Sequence, residues 1–323
     1  MNTDDVIALK NRVTGGELIS KEEALQLVEA PLDALCSAAD EIREYFCSNS
    51  FDMCSIINGK SGLCSENCRY CAQSAHYCGK SEEYPLMSAA ELLQGAEYND
   101  RRGVGRFSVV TSGKRLSHAE VDEICESYRE ISAKCGISLC ASHGLLEYED
   151  FVKLKEAGVS RIHNNLETSR RNFGNICTTH TYDDKLNAIR AAKQAGLEVC
   201  SGGIMGLGES WEDRIDMALE LRGLEIKSVP LNVLNPIKGT PLENSRVLSE
   251  DEVCRIAAVW RFILPDAKIR LAGGRGLFAD KGERIFKSGA NAAITGDMLT
   301  TSGITIADDM KLAAKLGYEV KRS

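Results

Sequence analysis

The chain has 323 residues, 43% hydrophobic and 27% charged, enough for one large globular domain or two smaller ones. Its 39 Lys and Arg against 47 Asp and Glu give a net charge of −8, which argues against the basic face of a nucleic-acid binder. No apolar run approaches the ~18 residues of a membrane span.

The N-terminus, MNTDDVIALKNRV, lacks the basic and apolar regions of a signal peptide. A cytoplasmic protein is expected, and its thirteen cysteines read as metal ligands or buried thiols rather than a disulfide framework. No low-complexity tract or Pro- or Gly/Ser-rich linker divides the chain.

In chain order, residues 1–50 predict a helical extension, with KEEALQLVEA and LDALCSAADEIREYF as its clearest stretches. Eight β-type runs follow, at 53–58, 106–111, 137–142, 159–164, 197–203, 228–234, 268–273 and 291–296. Between them lie stretches with apolar residues at three/four spacing. TYDDKLNAIRAAKQAG has Gly196 as a helix stop, SWEDRIDMALELRG has Ser210 as an N-cap and Gly223 at its end, and SEDEVCRIAAVWRFI has Ser249 as an N-cap. Eight strands alternating with helices predict an α/β fold, a (β/α)8 barrel over 51–300, with 301–323 as a C-terminal segment. A doubly wound open sheet is the competing architecture. In a barrel, chemistry sits on the loops at the C-terminal ends of the strands.

The loop after the first strand reads GKSGLCSENCRYCAQSAHYCGK, with Cys64, Cys68 and Cys71 in a C-x3-C-x2-C spacing and Cys78 close behind. Structural zinc sites usually take four ligands from two paired knuckles. Here one compact group offers three thiolates, and a cubane iron–sulfur cluster held by three cysteines leaves one iron open. The bland alternatives are a zinc loop completed by His76 or Cys78, or three buried thiols.

This spacing resembles that of the radical S-adenosylmethionine enzymes. The resemblance implies a [4Fe-4S] cluster on Cys64, Cys68 and Cys71, with S-adenosylmethionine chelating the fourth iron and yielding a 5′-deoxyadenosyl radical on reduction. Tyr70, the aromatic residue before the third cysteine, would lie by the adenine. The tracts CSENCRYCAQS, NNLETS, CSGGIMGLGE, VPLNVL, KGTPL and IRLAGGR, in that order, resemble the biotin synthases across nearly the whole chain. That narrower resemblance implies sulfur insertion into dethiobiotin, with an auxiliary Fe–S cluster as sulfur source, a one-electron donor such as flavodoxin or ferredoxin, and a homodimer. A sister radical enzyme of the hydrogenase-maturase or thiamin-pathway type is the main alternative. A non-catalytic Fe–S or zinc protein is the alternative of another class.

Carried over residue by residue, the resemblance places Asn165 and Glu167 on the ribose hydroxyls of S-adenosylmethionine, where a carboxylate can accept two hydrogen bonds. It places Lys185 at the methionine carboxylate and the backbone of Gly203 and Ile204 at the adenine. Asn232, with Asn165, would hold the substrate. The plain readings beside these are a helix-cap or surface acid for Glu167, a solvated helix lysine for Lys185 and a strand-end amide for Asn232.

The pattern breaks at the auxiliary site. The best-known form holds a [2Fe-2S] cluster with three cysteines and an arginine. Cys140, Cys200 and Arg270 match three of those positions, but Ser108 stands where the remaining cysteine is expected, and Cys54 stands where that form has a serine. Serine is a poor, hard ligand for such clusters. If Ile56 and Asn58 point into the barrel, period-two alternation turns Cys54 inward as well. The inference is an auxiliary site of Cys54, Cys140 and Cys200, lined rather than ligated by Arg270. It resembles a variant class of anaerobes with a four-iron auxiliary cluster and an extra sulfide, favoured here over the two-iron type. Buried strand thiols are the plain reading of all three.

Overall fold

A computed structural model describes residues 1–79, 81–301 and 303–321. Three helices, α1 (Thr3–Thr14), α2 (Lys21–Val28) and α3 (Leu32–Cys47), precede the first strand. Asn2 and Ser20 close capping boxes on the first two, satisfying backbone N–H groups that have no intrahelical acceptor.

The chain then alternates: β1 (Ser50–Lys60), α4 (Ala89–Asp100), β2 (Arg106–Thr111), α5 (His118–Lys134), β3 (Ser138–Ser142), α6 (Tyr148–Glu156) and β4 (Val159–His163). Next come α7 (Arg170–Ile176), α8 (Tyr182–Gln194), β5 (Glu198–Cys200), β6 (Gly203–Met205), α9 (Trp211–Gly223) and β7 (Ser228–Val233). The last elements are α10 (Glu250–Ile263), β8 (Lys268–Leu271), α11 (Glu283–Phe286), β9 (Ala292–Thr295), α12 (Ile306–Lys315) and β10 (Glu319–Val320). Ser210 and Ser249 cap α9 and α10 as expected, and Gly196 follows α8 in the left-handed region at φ +77°.

All pairings in the sheet are parallel, and β9 returns to β1, so the sheet closes. The expected run at 197–203 divides into β5 and β6, which share one place in the barrel beside β7. The division follows from Gly202: a Cβ there would stand 2.0 Å from the Pro230 carbonyl oxygen, so only glycine allows the backbone this close. The Gly202 carbonyl is thereby freed to accept from the Glu167 N–H at 3.1 Å. The closed barrel, with helices outside and a helical extension before it, is the expected (β/α)8 class rather than an open sheet. The chain past 301 adds α12 and then β10, which pairs Ser50 with Glu319 along β1. No helix among the described residues is long and apolar enough to cross a membrane.

Candidate active site

The register of β1 shifts between Asn58 and Lys60, and the chain leaves the barrel into the cysteine loop. That loop is fixed by its own backbone. The Cys64 N–H donates to the Gln73 carbonyl at 3.0 Å, the Ala75 N–H to the Cys64 carbonyl at 2.8 Å and the Cys71 N–H to the Cys68 carbonyl at 3.0 Å. The buried Gln73 side chain accepts from the Gly62 N–H and the Ser61 hydroxyl. All three cysteines are partly exposed. Two trios of ligand atoms lie within 4.8 Å of one another among the described residues, and neither is the triplet. One joins Cys68 to Cys177 and His180; the other joins Cys54, Cys140 and His163. His76, bonded to the Ser65 carbonyl, and the exposed Cys78 belong to neither trio.

A cavity of about 300 Å³ opens beside this loop, at the C-terminal ends of the strands. Tyr70, Cys71, Asn165, Glu167, Ile204 and Asn232 all contribute to its wall. Glu167 has φ +69°, a left-handed conformation unusual for a side-chain-bearing residue. Its carbonyl accepts from the Ile204 N–H at 2.8 Å. A Cβ on Gly203 would come within 2.6 Å of that same carbonyl. One carboxylate oxygen of Glu167, Oε2, is buried without a hydrogen-bond partner. Burial raises the carboxyl's pKa, with Lys185 opposing. Lys185 is half-buried on α8. The Asn165 side-chain oxygen accepts from the Gly202 N–H at 3.2 Å. Asn232 donates to the Gly203 carbonyl at 3.1 Å and accepts from the Gly273 N–H at 2.9 Å, which leaves its second N–H and second lone pair free for a ligand.

Below the cavity the barrel is lined with sulfur. Ile56 of β1 lines the cavity and pairs in register with Ser108, which pairs with Cys140. Cys54, two residues before Ile56, shares its face. Cys54, Cys140 and Cys200 are each 0% exposed. Cys54 and Cys140 group with His163, while Cys200 takes a hydrogen bond from the Ser228 hydroxyl at 3.1 Å and lies outside that trio. Still deeper, Arg270 and Lys268 meet Asp52, Arg161 holds Glu198, and Arg106 lies 3.8 Å from both carboxylates. The floor thus sets four cations against two carboxylates, and Arg270 and Arg161 oppose the burial that raises the Cys200 thiol above it.

The Ser108 hydroxyl and the Arg270 Nε are buried without partners. Unpaired donors beside three thiols, an imidazole and a cationic floor fit an anionic iron–sulfur group in this space. At the mouth, Glu167 and Cys71 both line the cavity, and the buried Glu167 Oε2 is left without a donor.

The model of the Radical SAM superfamily matches residues 60–221, and that of the Biotin and Thiamin Synthesis associated domain matches residues 230–319. A curated relative from Akkermansia muciniphila named biotin synthase is 61% identical, covering 97% of this chain and 98% of its own. One of the same name from Clostridium botulinum (strain Alaska E43 / Type E3) is 59% identical, covering 96% and 98%. The chain belongs to the biotin synthase family. Among solved structures, methylornithine synthase is similar with a TM-score of 0.85 at 20% identity, covering 97% of each chain. The hydrogenase maturase HydG matches with a TM-score of 0.85 at 19% identity, covering 99% of this chain and 76% of its own. At such identities these two speak for the barrel alone.

Three features of this biotin synthase family member escaped the motif reading. His163 ends β4 two residues before Asn165, and both line the cavity, so the period-two spacing carried the signal. The segment Met298–Leu299–Thr300–Thr301 closes part of the cavity wall, and the Leu299 carbonyl accepts from the Asn58 amide at 3.3 Å. No local pattern marks that role. Cys177, which no motif singles out, meets Cys68 across more than a hundred residues of chain.

Proposed function

We propose that the protein inserts sulfur into dethiobiotin to form biotin, using a 5′-deoxyadenosyl radical from S-adenosylmethionine. The observation that carries this reading is one cavity whose wall includes both Cys71 of the cysteine loop and His163 of the buried sulfur-lined interior. When bound, a [4Fe-4S] cluster on Cys64, Cys68 and Cys71 supplies the electron that cleaves S-adenosylmethionine, and an auxiliary cluster supplies the sulfur.

The chain's own residues bind and orient. Glu167 offers a carboxylate to the ribose diol, held in place by the paired backbones of Gly203 and Ile204. Tyr70 packs with Ile204 against Ile176, Leu207 and Leu234, giving an apolar bed for an adenine ring. Lys185, half-buried on α8 and outside the cavity wall, would neutralise the methionine carboxylate. Asn232 and Asn165 face the substrate from adjoining parts of the wall.

For the auxiliary site we infer Cys54, Cys140 and Cys200 as ligands, with a four-iron group favoured over a two-iron one. Ser108 occupies the register position between Ile56 and Cys140 with a hydroxyl in place of a thiol. Arg270 is engaged by Asp52 and by the Ala293 carbonyl at 2.9 Å, which supports its lining the site rather than binding metal. The family reading brings with it a cytoplasmic setting, a one-electron donor such as flavodoxin or ferredoxin, and a homodimer.

The test is anaerobic reconstitution with iron and sulfide, then S-adenosylmethionine, a reductant and dethiobiotin. Biotin is the expected product. 5′-Deoxyadenosine without biotin or a thiol intermediate would favour a sister radical enzyme, and no cleavage at all would sink both.

A further inference from the structure

We propose that Cys68, Cys177 and His180 form a mononuclear site for a divalent transition-metal ion, and that this site shares Cys68 with the radical cluster, so that ion and cluster exclude each other. The three ligand atoms lie within 4.8 Å of one another. Cys177 Sγ stands 3.3 Å from His180 Nδ1. Two donors about 2.0–2.3 Å from one tetrahedral ion lie roughly 3.5 Å apart, so this edge is near the size a zinc-like ion requires. The Glu66 carboxylate hydrogen-bonds to the same Nδ1 at 2.5 Å, too close to share a tetrahedral ion with it, and is the partner that an ion displaces from the imidazole. Two thiolates and an imidazole suit zinc, cobalt(II) or iron(II) rather than a hard cation.

Apart from Cys68, the site draws on residues outside the cysteine triplet. Cys177 ends α7, and His180 precedes α8. Asn67 ties this segment to the cysteine loop: its side-chain oxygen accepts from the Thr178 N–H at 2.9 Å, and its own N–H donates to the Thr179 hydroxyl at 3.1 Å. The Thr179 hydroxyl in turn donates to Glu66 at 2.8 Å. The Arg69 N–H donates to the Ile176 carbonyl at 3.0 Å. Cys177, His180 and Glu66 are 4%, 7% and 6% exposed. Such a clustering of thiol, imidazole and carboxylate groups, buried together, is costly unless a shared proton or a metal ion holds it.

An entering ion takes the place of the proton between His180 and Glu66 and releases the protons of both thiols, with Glu66 displaced from the imidazole and the fourth position left to water. Binding by these residues needs nothing from the radical reading. Only the exclusion clause rests on Cys68 as a cluster ligand. A cell in which this site fills with zinc would hold enzyme that cannot load its cluster.

Cobalt(II) added anaerobically to the cluster-free, reduced full-length chain tests the site. One equivalent is expected to give thiolate-to-cobalt charge-transfer absorption with tetrahedral d–d bands. Cys177→Ser and His180→Ala should each weaken binding at least about 10-fold, whereas Cys64→Ala and Cys71→Ala leave it unchanged. Bands that survive in both Cys177→Ser and His180→Ala, or vanish in Cys64→Ala, overturn the proposal, because the ion then sits on the triplet. One equivalent of zinc should also slow iron–sulfur reconstitution of the parent chain but not of His180→Ala. Equal reconstitution with and without zinc overturns the shared use of Cys68. Both readouts are optical and independent of S-adenosylmethionine cleavage, so their failure is separable from failure of the catalytic reading.

Discussion

Arg270 and Asp52 form an ion pair at the floor of the barrel, with the guanidinium 1% and the carboxylate 5% exposed. Burial by itself would raise the Asp52 pKa, but Arg270, Lys268 and Arg161 outweigh it and hold the carboxyl below the usual range. A carboxyl depressed in the folded state stabilises above its unfolded pKa, and that contribution fades as pH falls from there through the depressed folded value. Asp52→Asn leaves the buried Arg270 with neutral acceptors alone, among them the backbone carbonyls of residue 52 and Ala293, and no anion. A loss of about 3–5 kcal/mol in denaturant unfolding of the cluster-free chain at neutral pH is expected. An unchanged midpoint would mean that the remaining contacts compensate the guanidinium.

Cys54 distinguishes the inferred auxiliary ligand set from the best-known one. Cys54→Ala is expected to lower the iron content of the reconstituted chain beyond the first cluster. It should abolish biotin formation while 5′-deoxyadenosine still appears. Iron assay and product chromatography on the same sample check this, and unchanged iron and activity would remove Cys54 from the site.

Glu167 trades stability for binding. Its folded pKa is raised, so the ionised carboxylate costs stability once pH exceeds the unfolded value, and at neutral pH that cost is present. Glu167→Gln should therefore unfold at the same temperature or higher in the ligand-free state. Loss of a charged acceptor, worth about 1.5–3 kcal/mol, should weaken S-adenosylmethionine binding to the reconstituted chain by roughly 10- to 100-fold. Thermal melts and equilibrium binding read the two effects separately.

Gly203→Ala sets a Cβ 2.6 Å from the Glu167 carbonyl and 2.6 Å from Met217 Sδ. The thioether can swing away, but the carbonyl belongs to backbone that also accepts from Ile204. Destabilisation of about 1–3 kcal/mol is expected. S-adenosylmethionine affinity should fall with it, measured as above.

His143 follows β3 and is fully enclosed by hydrogen bonds to Tyr128 at 2.9 Å and Thr111 at 3.1 Å. Burial pushes its pKa down to about 3. A histidine depressed in the folded state stabilises fully above its unfolded pKa and loses that contribution as pH falls from there toward the folded value. Between pH ~6.5 and 5 the chain should lose about 2 kcal/mol through this group. His143→Gln should flatten the acid limb of stability against pH. Because Tyr128 also donates to the Cys140 carbonyl, the variant reports on how β3 is held.

Much was legible because it is local. Period-two and three/four spacings gave eight strands and their helices, and Ser210 and Ser249 marked helix starts through their own backbone bonds. The cysteine spacing and the ordered tracts pointed to the family that the relatives bear out. Less legible was anything decided across strands. The division of β5 from β6 depends on Pro230 lying against Gly202. His163 was in plain view two residues before Asn165, but its nearness to Cys54 and Cys140 is a property of three strands at once.

The sequence by itself thus determined the architecture and the chemistry-bearing loop, since both are written in short-range periodicity and spacing. Only the closed barrel decided which sulfurs meet. Sheet register sets Ser108 beside Cys140 and turns Cys54 inward. Hydrogen bonds from Asn67 to the segment after α7 bring Cys177 and His180 to Cys68. These contacts join residues far apart in the chain, and their energies depend on burial and geometry that no single stretch of residues contains.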